Sequence, residues 1–281
     1  MPHPGAYAGR AEDPPPTGDF IASCIFTTHC TEPYASLMET KSVLPVVSQI
    51  FARPKAGNAP EEYEDAAAIG DDRWPLRAAV ADGATETSYS RLWAEILTEG
   101  IAEEGIASAD RLKTVLPQWQ AQWDRDVNEK IENMPWYGAE KAADGAFATL
   151  LGLNVHEDNS WTALSVGDCV LFHLSDDELQ QAWPIEDPRA FTHRPELLPS
   201  RDGREAPRPA VTEGEWEVGD AFILATDAAA QWLLRTDPAA VLEFDENRFR
   251  LATDSARGTG GLRNDDSTIV LLEMRAPEED E

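Results

Sequence analysis

The chain has 281 residues, 42% hydrophobic and 27% charged, enough for one large core or two modest ones. Its net charge of −29 repels a polyanion and attracts basic peptides, so a nucleic-acid partner is excluded. No stretch approaches the roughly 18 uncharged apolar residues of a membrane span.

Residues 1–19 are rich in Pro and Gly and are expected to form a flexible tail. They lack a basic region followed by an apolar run, so no secretory signal is expected and the expected location is cytoplasmic. Phe20 to Thr28 reads as a first strand, and Pro33 to Glu39 as irregular or a short helix. Val43 to Ala52 contains a second strand. Ala66 to Ile69 and Leu76 to Ala81 read as a hairpin around Asp71-Asp72-Arg73-Trp74-Pro75, which brings Asp65 and Asp82 to one sheet end.

The period then changes. Leu92, Trp93, Ile96, Leu97 and Ile101 predict a helix over Ser90 to Glu104, capped by Thr87 or Ser88. Leu112, Val115, Leu116, Trp119, Trp123, Val127 and Ile131 predict a second, broken or started at Pro117. Ala139 to Thr149 reads as a third helix. Leu150 to His156, Thr162 to Val166 and Cys169 to Leu174 read as an antiparallel meander turning at Glu157 to Ser160.

Trp183 to Arg194 reads as irregular, and Leu197 to Val218 as an exposed loop that could flap over a site. Ala221 to Ala225 is a strand followed by a helix start. Ala239 to Phe244 and Asn247 to Leu251 are ambiguous, and Ala252 to Asp266 reads as a mobile loop. Ile269 to Met274 is the last strand, and residues 277–281 an acidic tail. The expectation is one α+β domain over residues 20–276.

Three carboxylates recur in one context, an apolar run beside an Asp: Asp82, Asp227 and Asp265. Gly83 is expected to let the chain turn sharply after Asp82 and to present its carbonyl. Acids crowded into a low-dielectric cleft repel one another, and hard divalent cations with oxygen ligands resolve that repulsion. Mg²⁺ or Mn²⁺ is the expected metal. Cys24, His29 and Cys30 lack a fourth ligand and fit no common zinc spacing, and Cys169 reads as a buried small hydrophobe. The three cysteines make no disulfide framework.

Tyr63-Glu64-Asp65-Ala66, Ala81-Asp82-Gly83, Ala225-Thr226-Asp227 and Asp265-Asp266-Ser267-Thr268-Ile269-Val270 together resemble the metal-dependent protein phosphatase 2C family. A weaker fifth match is Val166-Gly167-Asp168-Cys169. The resemblance covers roughly Phe51 to Met274. It implies a four-layer α-β-β-α sandwich with two packed, mainly antiparallel sheets and two metal ions at one end. It implies that Asp82 bridges the ions, that Gly83 ligates one through its carbonyl, and that Asp227 and Asp265 complete the pair on one ion. Glu64 or Asp65 would reach the site directly or through water, and Asp168 would help with a weak third ion. The implied activity is hydrolysis of phosphoserine or phosphothreonine in a phosphorylated protein by metal-activated water.

The chain departs from the family pattern in several places. No Arg stands in Gly57 to Glu62, where the family often places a phosphate-binding one; Arg53 or Lys55 is a possible substitute. Ala84-Thr85-Glu86 follows Gly83, Ala228 stands where a glycine is usual, and Asp266 stands where Asn is usual. Two alternatives therefore stay open: a catalytically weak or inactive partner-binding module of the same fold, and a phosphatase of small metabolites. Trp93, Trp119 and Trp123 read as core. Trp136-Tyr137 and Trp161 are candidates for a substrate groove, and His156 and His173 read as strand residues.

Overall fold

The computed structural model describes residues 46–84, 89–106, 108–131 and 144–276. The expected N-terminal tail, the strand over Phe20 to Thr28, Pro33 to Glu39, Cys24, His29, Cys30, the caps Thr87 and Ser88, Trp136-Tyr137 and the acidic tail lie outside these residues.

Twelve strands and four α-helices are seen among the described residues. In chain order they are β1 (Val46–Arg53), β2 (Ala66–Ile69), β3 (Leu76–Ala81), α1 (Ser90–Glu104), α2 (Ala109–Ile131), β4 (Phe147–Ala148), β5 (Leu150–Val155) and β6 (Ser160–Val166). There follow β7 (Val170–Ser175), β8 (Glu178–Trp183), β9 (Leu198–Pro199), β10 (Ala210–Glu215), β11 (Ala221–Ala225), α3 (Asp227–Arg235), α4 (Glu246–Thr259) and β12 (Ser267–Met274). One five-stranded sheet has the order β1-β12-β11-β7-β8, the other β10-β6-β5-β3-β2. Every pairing in both is antiparallel.

Period-2 alternation builds the layers. In β3, Leu76, Ala78 and Val80 face the other sheet, while Ala79 and Ala81 face helices. In β11, Phe222 and Leu224 face inward, while Ala221, Ile223 and Ala225 face α3 and α4. The inter-sheet core joins Leu151, Leu153, Val155, Trp161, Phe222, Val270 and Leu272. A second core lies between one sheet and α1 and α2, around Trp93, Trp119 and Trp123. A third lies between the other sheet and α3 and α4. The result is a four-layer α-β-β-α sandwich.

The hairpin β2–β3, helix α1 and strands β5, β11 and β12 follow the sequence expectation. Other elements do not. Tyr89, with φ 64°, takes the N-cap position of α1. Helix α2 runs unbroken through Pro117. The expected third helix ends as strand β4 over Phe147–Ala148, and its residues 139–143 lie outside the described ones. The expected meander is split: β5 and β6 pair, but Gly167-Asp168 carries the chain into the other sheet, where β7 pairs with β11 and β8. The β7–β8 hairpin turns at Asp176 and Asp177, both with positive φ, and places β8 ahead of the irregular stretch.

The expected flap over Leu197 to Val218 contains β9 and β10, and β10 is an edge strand paired with β6. Leu198 is buried and its carbonyl accepts a hydrogen bond from Trp93 Nε1 at 2.9 Å, so this stretch packs onto the helical layer. The expected mobile loop shrinks to residues 260–266 because α4 continues to Thr259. Trp161 is 1% exposed and donates from Nε1 to Glu215 O, so it is core and not groove. Cys169 is buried as expected. His156 follows the end of β5, and His173 pairs with Asp220 at 2.8 Å.

Candidate metal centre

Register decides which residues meet. Ala66 pairs with Ala81, so Asp65 and Asp82 flank the same end of the β2–β3 hairpin. Thr149 N donates to Asp82 O, and Asp82 N donates to Thr149 Oγ1, both at 2.9 Å. In the other sheet, Ala225 pairs with Ile269 and with Val170. Asp227, Asp265 and Asp168 therefore stand just beyond the strand ends on that side. The crossing from β6 to β7 passes through Asp168 and joins the two sheet ends. The seven residues singled out from the sequence, Glu64, Asp65, Asp82, Gly83, Asp168, Asp227 and Asp265, thus gather at one end of the sandwich.

Two glycines permit the approach. Gly167 has φ +101°, and a Cβ there would lie 2.6 Å from Thr149 Cγ2. Gly83 has no positive φ; a Cβ there would lie 2.7 Å from Glu64 O and 2.9 Å from the carbonyl carbon of Ser90. Its requirement is close backbone packing rather than the sharp turn the sequence suggests.

The acids are in different states of satisfaction. Asp65 is buried, and its Oδ2 accepts from Thr226 Oγ1 at 2.8 Å and Thr268 Oγ1 at 2.6 Å. Burial pushes Asp65 up to about 8, against the pull of those two hydroxyls. Tyr63 OH contacts Thr268 Oγ1, and burial and the Asp65 charge raise its phenol. Asp82 is held well above the usual carboxylate range, first by burial and then by Asp65, Asp227, Asp168 and Asp265. Asp168 is 4% exposed and is pushed up to about 7 by burial and by Asp227. Both its carboxylate oxygens are buried with no hydrogen-bond partner. Glu64 Oε1 accepts from Ser90 Oγ at 2.8 Å.

Sequence reasoning gave no role to two residues that shape this end, although it noted Asp266 as a departure from the family pattern. Asp266 accepts from Lys55 N and Glu64 N, both at 2.7 Å, and so ties the start of β12 to the segment carrying the Glu-Asp pair. Arg263 Nη2 contacts Asp227 Oδ2 and lies 3.2 Å from Asp265 Oδ2. An isolated Arg in a Gly-Asn-Asp loop carries no signal in one sequence. Of the two alternative substitutes for the missing Arg, Arg53 pairs with Asp254, whereas Lys55 Nζ is 4.0 Å from Asp265.

An all-carboxylate donor set suits a hard divalent cation. The unpartnered buried oxygens of Asp168 and the mutual repulsion around Asp82 are the features such an ion would relieve. Among the described residues, no three Asp, Glu, His or Cys side chains converge as the ligands of one ion as they stand. Two of the acids are engaged by Arg263 instead.

A family model for protein phosphatase 2C matches residues 59–259. No curated protein matches. Among solved structures, the chain is similar to the Mycobacterium tuberculosis serine/threonine phosphatase PstP/Ppp, with 18% identity, 82% of this chain and 99% of that chain covered, and a TM-score of 0.56. The catalytic domain of PstP in complex with two manganese ions shares 19% identity, with 82% and 100% covered and a TM-score of 0.52. The serine/threonine phosphatase Stp1 from Staphylococcus aureus shares 16%, with 82% and 95% covered and a TM-score of 0.55. These identities speak for the fold.

Proposed function

The chain belongs to the protein phosphatase 2C family, and on that premise we propose that it hydrolyses phosphoserine or phosphothreonine in proteins with the help of divalent metal ions. The observation that supports this most is the gathering of Asp65, Asp82, Asp168, Asp227 and Asp265 at one end of both sheets, with both oxygens of Asp168 buried and unpaired.

Asp82, Asp227 and Asp265 are the proposed metal ligands, with the Gly83 carbonyl, and with Glu64 or Asp65 reached directly or through water. Asp168 is the proposed ligand of a weaker third ion. When bound there, Mn²⁺ or Mg²⁺ would supply an acidified water as nucleophile and positive charge for the phosphoryl oxygens. The chain's own residues do the positioning. Thr226 and Thr268 hold Asp65 in one orientation. Asp266 holds the backbone around Lys55 and Glu64. Lys55 and Arg263 are cations on this face that an incoming phosphate can meet. Cys169 is buried beneath the site and its thiol is raised by burial, so it offers no nucleophile. A negatively charged surface favours a basic phosphopeptide over a free nucleotide.

The test is Mn²⁺-dependent hydrolysis of an aryl phosphate and of a phosphopeptide. Asp82→Asn and Asp227→Asn should each lower kcat by at least about a hundredfold while leaving the circular dichroism unchanged. Full activity in either variant sinks the assigned roles. The pairing of Arg263 with Asp227 and Asp265 favours one competing reading, a non-catalytic module that binds a partner protein. Calorimetry with Mn²⁺ separates them, since no heat of binding favours the module.

A further inference from the structure

The proposed centre already holds a cation supplied by the chain. Arg263 stands on the short loop between α4 and β12 and bridges Asp227 and Asp265. The same guanidinium is near enough to act on Asp82 and Asp168. That loop is pinned through the Asn264 side chain and the Asp265 carbonyl. Asn264 exchanges two hydrogen bonds with Ala56, at 2.8 and 3.2 Å, and Arg257 Nη2 donates to Asp265 O at 2.7 Å. The Arg263 side chain is not pinned in this way. It is 37% exposed and pairs with the two carboxylates. Below it, Asp168 remains buried with neither oxygen paired.

The guanidinium and a divalent ion compete for these carboxylates. An ion that takes Oδ2 of Asp227 and Asp265 displaces the guanidinium directly, and one that takes the other oxygens binds against its positive charge. Without a metal, the guanidinium offsets repulsion among acids that are otherwise uncompensated. A long, half-exposed side chain on an anchored loop can leave toward solvent without moving the backbone.

We propose that Arg263 is a tethered cation that occupies Asp227 and Asp265 in the metal-free protein and leaves them when a divalent ion binds, so that it sets the metal affinity of this centre. This rests on the metal-centre reading above. Arg263 is then a positioning residue: it offsets the acids' repulsion and holds them in place until the ion arrives, and weakens the ion's binding by competing for the same carboxylates.

The experiment is calorimetric titration of MnCl₂ into the metal-stripped 281-residue chain, as wild type, Arg263→Gln and Arg263→Lys. The Gln variant should bind Mn²⁺ about tenfold more tightly than wild type, and the Lys variant should fall between them. Thermal midpoints give a second readout. In chelator the Gln variant should melt below wild type, and in saturating Mn²⁺ the two should melt together. A purely structural role would lower both midpoints equally and leave the Kd unchanged, which overturns the proposal. Wild-type binding with equal or weaker affinity in the Gln variant overturns it too, and leaves the metal centre standing. No Mn²⁺ binding by either protein overturns both readings. Should the Gln variant fail to fold, a Lys variant with wild-type Kd overturns the proposal.

Discussion

Thr226 donates its hydroxyl to Asp65 Oδ2 at 2.8 Å, although the two residues lie 161 positions apart. The contact joins the end of β11 in one sheet to the start of β2 in the other. Thr268 completes it, donating to the same Asp65 oxygen and, through its backbone N–H, to Thr226 Oγ1 at 3.0 Å. The candidate centre therefore rests on a buried polar link between sheets, and a buried link that loses one member leaves the others unpaired.

Thr226→Val keeps the shape and removes the hydroxyl. It leaves Asp65 with one donor fewer and the Thr268 N–H without its acceptor. The metal-free protein should lose about 1–3 kcal/mol in urea denaturation. An unchanged midpoint would show that the link contributes nothing.

The raised carboxyls make the metal-free protein sensitive to pH. An unfolded Asp titrates near about 3.9, whereas Asp65 in the folded chain sits at about 8 and Asp168 at about 7. The folded state thus holds these protons more tightly than the unfolded one. The stability they contribute is full below about pH 4 and is lost as pH rises through 7 and 8. In chelating buffer the urea midpoint should fall between about pH 5 and pH 8.5, and saturating Mn²⁺ should flatten that fall. A midpoint that rises across the window contradicts the assignment.

Gly83→Ala places a methyl 2.7 Å from Glu64 O and 2.9 Å from Ser90 C, both backbone atoms that cannot turn aside. The expected loss is about 1–3 kcal/mol of stability. Mn²⁺ affinity should fall with it, because the strain lies between Asp82 and Glu64. Normal stability would mean that β2 and α1 yield more easily than the packing indicates.

Trp161→Ala tests the core assignment of a residue that the sequence offered as a groove candidate. The indole lies between the sheets, edge-on to Phe222 with ring centroids 5.7 Å apart. Its removal should lower stability by about 3–5 kcal/mol. A groove residue would instead lose substrate affinity with little change in the unfolding midpoint.

Elements with strong local signals were legible in the sequence. Helix α1 carries its apolar residues at a period of 3.6, and the structure bounds it at Ser90 and Glu104 as expected. Strand β11 is a short apolar run, buried throughout. The missed elements are those whose stability comes from a neighbour. Strand β10 reads Ala-Val-Thr-Glu-Gly-Glu and is mostly exposed, because as an edge strand it leans on β6 alone. Strand β8 is an edge strand of the same kind. Helix α4 is polar and buries only Phe249 and Thr253, so its C-terminal half looks like a loop.

Asp82, Asp227 and Asp265 were readable as candidates from their place beside apolar runs, because strand ends and turn residues are local properties of a chain. Only the tertiary structure decided that they stand at the same end of the sandwich, since antiparallel register fixes which strand ends coincide within each sheet and the Asp65–Thr226–Thr268 link joins the two sheets there. It alone assigned the places of Asp266 and Arg263. One spans a gap of more than two hundred positions to two backbone amides, and the other sets a guanidinium on two of the acids. Contacts of that range arise from packing and leave no periodic trace along the chain.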